Sequence, residues 1–288
     1  MESILLNSLN NIKEYNPLIC HWDKSDWVFY FIIIPAILVF IFLLPSEIRH
    51  HFILNFQNPT IFSILANHYT HSTTSHLGNN LGVYLLVMFA IFNIVIDKPL
   101  FYQVSAVLFT VLPIVLSMLM LWFLPNLPPA QGFSAIGSGF IGYLIYAVYS
   151  FLKNNFKFIK QSLFSLILML NFLTLVIIKN FDTKIVALIA LITGIYLVIN
   201  YKDILALAKE GQVYYNKIPK GVHLEIIYKS SIFASCFIFT IALPFIIPAT
   251  IVSNGIITNT IGHYICWIFG FFVPIILGAL SFKDSNSH

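Results

Sequence analysis

Side chains that could do chemistry occur in three short polar segments of an otherwise apolar chain, at 68–80, 131–139 and 262–270. Polar groups within membrane-length apolar sequence are functional candidates, because transferring them into lipid is unfavourable. A serine whose proton is taken by a neighbouring histidine is an activated nucleophile, so the pattern indicates nucleophilic catalysis if the segments meet. The candidate residues are, in chain order, His71, His76, Asn80, Ser134 and His263.

The spacing within each segment predicts how these residues are presented. His76 and Asn80 are four positions apart, so on a helix they share one face, about 6 Å apart along the axis. Small residues let membrane helices approach closely, and such residues follow both Ser134 and His263. They are Gly137, Ser138 and Gly142 after the serine, and Cys266 and Gly270 after the histidine.

The composition is that of a membrane protein. Hydrophobic residues make up 59% of the 288 positions and charged residues only 9%, whereas soluble domains carry roughly 25% charged residues. We predict an all-α polytopic fold forming one helical bundle, with segment 46–75 as an interfacial or re-entrant loop. The predicted spans are eight: 27–45, 77–96, 101–123, 133–152, 161–178, 185–200, 231–248 and 262–281.

Basic residues predict the orientation. With the N-terminus inside, all of the 15 Lys and Arg residues fall on the inner side except Arg49, Lys179 and Lys184, as the positive-inside rule requires. This assigns 1–26 and 282–288 to the cytoplasm and 27–281 to the membrane domain of a cell-membrane protein. Even-numbered spans then begin at the outer face, which predicts that His76, Asn80, Ser134 and His263 lie at similar depth there. The net charge of +4 is explained by scattered inner-loop lysines and indicates no nucleic-acid partner.

Taken together, the motifs resemble those of the rhomboid family of intramembrane serine proteases. The family has a histidine, four residues, a histidine, three residues and an asparagine in its second core span, which here are His71, His76 and Asn80. A GxSG-type motif opens its fourth core span, here Gly132-Phe133-Ser134-Ala135, and an HxxGxxxG pattern opens its last. In this chain that pattern begins at His263 and ends at Gly270.

The resemblance implies a six-helix rhomboid-like core and a mechanism. Ser134 would be the nucleophile and His263 its general base, working as a dyad without an acid, cofactor or metal. His76, Asn80 and the Ser134 N–H would hold the oxyanion, while His71, Gly132 and Gly270 would support the motifs. The substrates implied are transmembrane segments of other membrane proteins, cut near the outer face.

The chain departs from the family pattern in several places. Ala135 and Cys266 stand where the family has glycine, and Phe62-Ser63 occupies the region of its usual Trp-Arg pair. Three spans, not one, separate the serine span from the final one, which we interpret as a two-helix insertion at about 155–230. We take the span 231–248, with Pro244 and Pro248 near its end, as the family's fifth, and the uncharged loop that follows it, 249–261, as a candidate cap over the site.

Other interpretations remain open. His68, His71 and His76 are spaced closely enough to suggest a metal site, although the chain has no HExxH motif. Taken alone, His68 is predicted to be an interfacial residue. Paired intramembrane aspartates and an internal repeat are absent from the sequence, which disfavours an aspartyl membrane protease and a transporter. The remaining alternative is a catalytically inactive rhomboid-like protein that binds membrane segments.

Overall fold

The structure, a computed structural model, describes residues 21–155, 161–178, 183–206, 209, 252–253, 256–257 and 260–285. These residues are almost entirely helical, with one short antiparallel hairpin formed by β1 (Val252–Ser253) and β2 (Ile256–Ile257). The helices are α1 (Lys24–Leu43), α2 (Ser46–His50), α3 (Ile61–Ala66), α4 (Thr74–Ile94), α5 (Lys98–Phe123), α6 (Ser134–Asn155), α7 (Gln161–Ile178), α8 (Thr183–Ile199) and α9 (Thr260–Ser285).

Five of the described helices are long and apolar enough to cross a bilayer, as expected for an all-α multi-pass membrane protein. They are α1, α4, α5, α6 and α9, and they coincide with the first four and the last of the predicted spans. α7 and α8 cover the predicted spans 161–178 and 185–200, but their apolar stretches are shorter. The predicted span 231–248, with Pro244 and Pro248, lies outside the described residues, as do residues 1–20 and 286–288.

Backbone contacts divide the chain into two compact units. In one, the described residues lie within Asn93–Ile96 and Ala147–Ile241, a range that contains the segment interpreted as an insertion; α7 packs against α8 there. In the other, they lie within His21–Phe92, Asp97–Tyr146 and Ala242–His288. Every candidate site residue belongs to this second unit, where α9 packs against α5.

The first span begins at Lys24, three residues before the predicted boundary, and brings a carboxylate into the helix. Asp26 is buried yet paired: its carboxylate lies 2.7 Å from the Lys98 ammonium and accepts a hydrogen bond from the Tyr102 hydroxyl at 2.5 Å. A buried charge persists only with such partners. The predicted start of this span at 27 is therefore three residues late, and the helix contains Asp26, whose charge Lys98 at the start of α5 compensates.

The segment predicted as a loop, 46–75, contains short helices instead of a span. Thr60 and Ser63 form a reciprocal capping box that starts α3, and a single 3₁₀ turn, Asn67–Tyr69, follows it. Thr73 caps α4 by accepting a hydrogen bond from the His76 N–H. These caps fix the positions at which the histidine-rich segment enters the helix.

The core of the second unit surrounds the first half of α6. Every residue from 135 to 145 is buried. Phe133, immediately before the helix, is fully enclosed, with its ring centre 5.3 Å from that of Tyr84 and 6.3 Å from that of Phe109. Aromatic packing of this kind stabilises a fixed entry into the helix, and Ser134 is the residue that follows.

Candidate active site

Gly132 brings two of the three sequence motifs together. Its backbone φ is +127°, a value that side chains with a Cβ rarely adopt. A Cβ built on Gly132 would lie 2.8 Å from Cε1 and 2.9 Å from Nε2 of His76, and 3.7 Å from Nδ2 of Asn80. The histidine ring and the asparagine amide therefore close directly over the backbone that leads into Ser134, and both project from one face of α4, as their spacing predicts.

His71 connects the same elements through its ring. Its Nε2 accepts a hydrogen bond from the Phe133 N–H at 3.3 Å and lies 2.9 Å from Nδ2 of Asn80. The His71 and His76 ring centres are 5.0 Å apart. Burial lowers the pKa of His71 to about 3, with His76 adding to the shift, so the ring is neutral near pH 7 and free to accept these bonds. His71 therefore links the segment before α4 to the backbone that precedes Ser134.

The segment leading to Ser134 is held by backbone hydrogen bonds from the first loop. Leu54 and Ala130 exchange two hydrogen bonds of 3.0 Å in an isolated antiparallel bridge. The Gly132 N–H donates to the Asn67 carbonyl, also at 3.0 Å. With the bond to His71, the loop therefore restrains three of the four residues from 130 to 133, which fixes the approach to the serine.

Ser134 is the first residue of α6 and is half-buried. The first N–H groups of a helix have no partner within the helix and carry the positive end of its dipole. Negative charge that develops next to Ser134 is therefore stabilised by the backbone itself. Ser138, one turn further, is buried and donates its hydroxyl proton to the Ser134 carbonyl at 2.8 Å. Its hydroxyl group is therefore used in a hydrogen bond within α6.

The close approach expected of the fourth and final spans is present. A Cβ on Gly142 of α6 would lie 2.0 Å from the Trp267 carbonyl oxygen of α9, and one on Gly270 would lie 1.8 Å from the Gly139 carbonyl oxygen. The two backbones are thus in direct contact, which only glycine permits at these positions. The Cys266 carbonyl lies 3.7 Å from the Cβ position of Gly139.

The structure also brings His263 within electrostatic range of His68, whose ring hydrogen bonds with the backbone of Gly132, two residues before Ser134. Ser134 is five residues before Gly139, about 7.5 Å along the α6 axis, and His263 is three residues before Cys266, about 4.5 Å along α9. His263 is 7% exposed and Cys266 is fully buried. The small residue at 266, glycine in the family pattern, is compatible with the tight packing because the contact there is made by its carbonyl group.

The prediction that His68 is an interfacial residue is wrong. The side chain is 5% exposed, and its Nε2 lies 3.4 Å from the Ser117 hydroxyl oxygen of α5. Burial lowers the pKa of His68 to about 4; hydrogen bonds with the backbone of Gly132 and Pro113 oppose the shift, and the charge of His263 adds to it. The ring is enclosed because the 3₁₀ turn directs it inward, a consequence of tertiary structure that composition does not reveal.

Arg49 contacts the candidate site, although no sequence motif indicated this residue. It lies on α2, where its Nη1 donates to the His71 carbonyl at 3.3 Å and its guanidinium lies 5.2 Å from the centre of the Phe42 ring. Such a cation over an aromatic face is attracted by the ring. Arg49 therefore links α2 to the backbone of the histidine-rich segment.

No group of three or more His, Cys, Asp or Glu side chains placed to hold a metal ion occurs in the part of the chain that the structure describes. His68 contacts Ser117 and the Gly132 backbone, His71 accepts a hydrogen bond from Phe133, and the His76 ring lies against Gly132. Comparison with known proteins adds no identity: no family model, no curated protein and no solved structure matches this chain.

Proposed function

We propose that this chain is a rhomboid-type intramembrane serine protease. The observation that carries the proposal is the contact of Gly132 with His76 and Asn80 at the start of a helix that packs, backbone to backbone, on the helix bearing His263. Two motifs thus meet at the loop before Ser134, and the third lies on the helix that packs against α6. This grouping is what acyl-transfer chemistry requires of a nucleophile, a base and oxyanion donors.

In the proposed reaction, the Ser134 hydroxyl oxygen attacks the carbonyl carbon of the scissile peptide bond while His263 takes the hydroxyl proton. The carbonyl oxygen becomes negative and is held by the His76 ring, the Asn80 amide and the Ser134 N–H. Collapse of this intermediate breaks the C–N bond, and His263 returns its proton to the leaving amine. Water then repeats the attack on the acyl-enzyme, with His263 as base, and releases Ser134.

The substrates proposed are transmembrane segments of other membrane proteins, cleaved near the outer face. The support is that Ser134, His76 and Asn80 all lie at the beginnings of membrane-length helices, α6 and α4. A site at the ends of such helices lies beside the bilayer, where substrates anchored in the same membrane meet it. In this proposal the substrate reaches the site by diffusing within the bilayer that surrounds the protein.

The proposal is tested by labelling the purified protein with a fluorophosphonate and by cleavage of a transmembrane reporter. We expect the wild type to label and to cut, and Ser134→Ala to do neither. Ser138→Ala is the matched control, because its hydroxyl bonds to the Ser134 carbonyl and is not the proposed nucleophile; it should still label.

Three results would contradict the proposal. Labelling that persists in Ser134→Ala would show a different nucleophile. A correctly folded wild type that neither labels nor cuts any of several reporters would favour the inactive, segment-binding alternative. Cleavage that depends on an added metal ion and not on Ser134 would favour a metal site.

A further inference from the structure

His68 is a buried imidazole that the proposed reaction does not use. It lies on the 3₁₀ turn Asn67–Tyr69, before α4, and contacts two other parts of the second unit. Its partners are the Ser117 hydroxyl and the Pro113 backbone on α5, and the Gly132 backbone two residues before Ser134; His263 on α9 lies within electrostatic range.

The neighbouring Asn67 also links α5 to the loop before Ser134. Its side chain is 1% exposed and its Nδ2 donates to the Ser117 hydroxyl oxygen at 2.9 Å and to the Ser63 carbonyl at 2.7 Å. Its own carbonyl accepts the Gly132 N–H. Asn67 and His68 therefore bind the loop before Ser134 from one side and α5 from the other, within a buried polar network in which each lost bond leaves an unsatisfied group.

We propose that His68 is a positioning residue that holds the start of α6 and the start of α9 in the arrangement that Ser134 and His263 need in order to react, an inference that rests on the proposed function. His68 itself makes no bond to substrate. It acts through the Gly132 backbone on one side and through its contact with α5, the helix on which α9 packs, on the other.

The chemical state of His68 suits this role. Because it is neutral near pH 7, it can lie close to His263 without repelling the positive charge that His263 acquires when it takes the serine proton. A cation at the same place would oppose that step. An apolar side chain would leave the Gly132 backbone and the Ser117 hydroxyl without this partner, and reacting groups displaced by about 1 Å can lose about a hundredfold in rate.

The test compares fluorophosphonate labelling rates and cleavage kinetics of His68→Leu and His68→Gln with the wild type. We expect His68→Leu to lower the labelling rate and kcat by roughly 10- to 100-fold with little change in KM. His68→Gln, whose amide can still hydrogen bond, should recover most of the loss. His50→Leu, a matched change at an exposed histidine, should behave as the wild type, and thermal unfolding should show that each variant is folded.

The outcomes separate this inference from the proposed function. A wild type that fails to label overturns both. A wild type that labels, with a folded His68→Leu that labels at the same rate, overturns only the role of His68, as does a His68→Gln no better than His68→Leu. If His68→Leu does not fold, Ser117→Ala replaces it, since it removes one partner of the ring; slower labelling at an unchanged unfolding temperature supports the inference, and an unchanged rate overturns it.

Discussion

At Gly132 the backbone adopts a left-handed conformation directly beneath the His76 ring. The glycine of the GxS motif is therefore required twice, once for its φ and once for the space a methyl group would fill. The second requirement depends on α4 and is visible only once the loop and helix are together.

We predict that Gly132→Ala abolishes cleavage. A residue with a Cβ held at this φ costs about 1–3 kcal/mol, and the new methyl group would displace the imidazole that is proposed to hold the oxyanion. The measurement is reporter cleavage by protein whose folding has been verified by thermal unfolding in detergent.

Gly137→Ala is the control for this change. Gly137 lies one turn into α6 and a Cβ there would meet nothing within 4 Å, while alanine favours the helix more than glycine does. It should retain activity and stability. Equal activity of the two alanine variants would show that the space at Gly132 is not needed for the reaction.

At the scale of helices, the contact between α6 and α9 depends on glycines. Counting the glycines in the sequence does not show which of them face the partner helix. Gly137 and Gly142 are both small residues that follow Ser134, yet only Gly142 meets α9. The two are five residues apart, which places them roughly 140° apart around the helix, so they cannot face the same partner.

Gly142→Ala is expected to destabilise the protein and to slow the reaction. A Cβ would lie 2.0 Å from the Trp267 carbonyl oxygen and 2.8 Å from the Phe271 nitrogen. Overpacking costs about 1–3 kcal/mol, and backbone atoms cannot rotate away, so we expect a value at the upper end and a shift of His263 away from Ser134. Unfolding temperature and labelling rate measure the two effects.

Gly278→Ala on α9 is the matched substitution, because a Cβ there meets nothing within 4 Å. A Gly142→Ala variant as stable and as reactive as Gly278→Ala would mean that the helices are not in backbone contact at this point.

For the whole molecule, the direction in which the helices cross the membrane determines on which side the candidate site lies. The parity argument assigns the start of α1 to the inside and the loop 46–73 to the outside, together with the beginnings of α4, α6 and α9. In the described part of the chain, both Lys24 at the start of α1 and Asn58 in the loop are exposed, so each can report its side of the membrane.

We predict that a cysteine at Asn58 reacts with a membrane-impermeant maleimide in intact cells, and that one at Lys24 reacts only after permeabilisation. Both are placed in a chain whose Cys20 and Cys236 are changed to alanine; Cys266 is fully buried and serves as an unreactive background. The reverse labelling pattern would put the site at the inner face and refute the orientation drawn from the basic residues.

Composition and periodicity were sufficient to predict the class of protein, most of the long helices and the common face of His76 and Asn80. These follow from properties that belong to the chain locally: hydropathy over a membrane-length window, and 3.6 residues per helical turn. The motif residues that meet at Gly132 could also be selected in advance, because their types and order follow a family pattern.

Only the tertiary structure decided which polar residues are buried and which groups they contact. His68 and Arg49, neither part of the motif set, contact the serine loop and the His71 backbone through segments that look like an ordinary interfacial loop. Asp26 is accommodated in a membrane helix because Lys98 lies opposite it. Whether a side chain is buried, and which group it pairs with, depends on which surfaces pack together. Residues far apart in sequence carry no local pattern that predicts such packing.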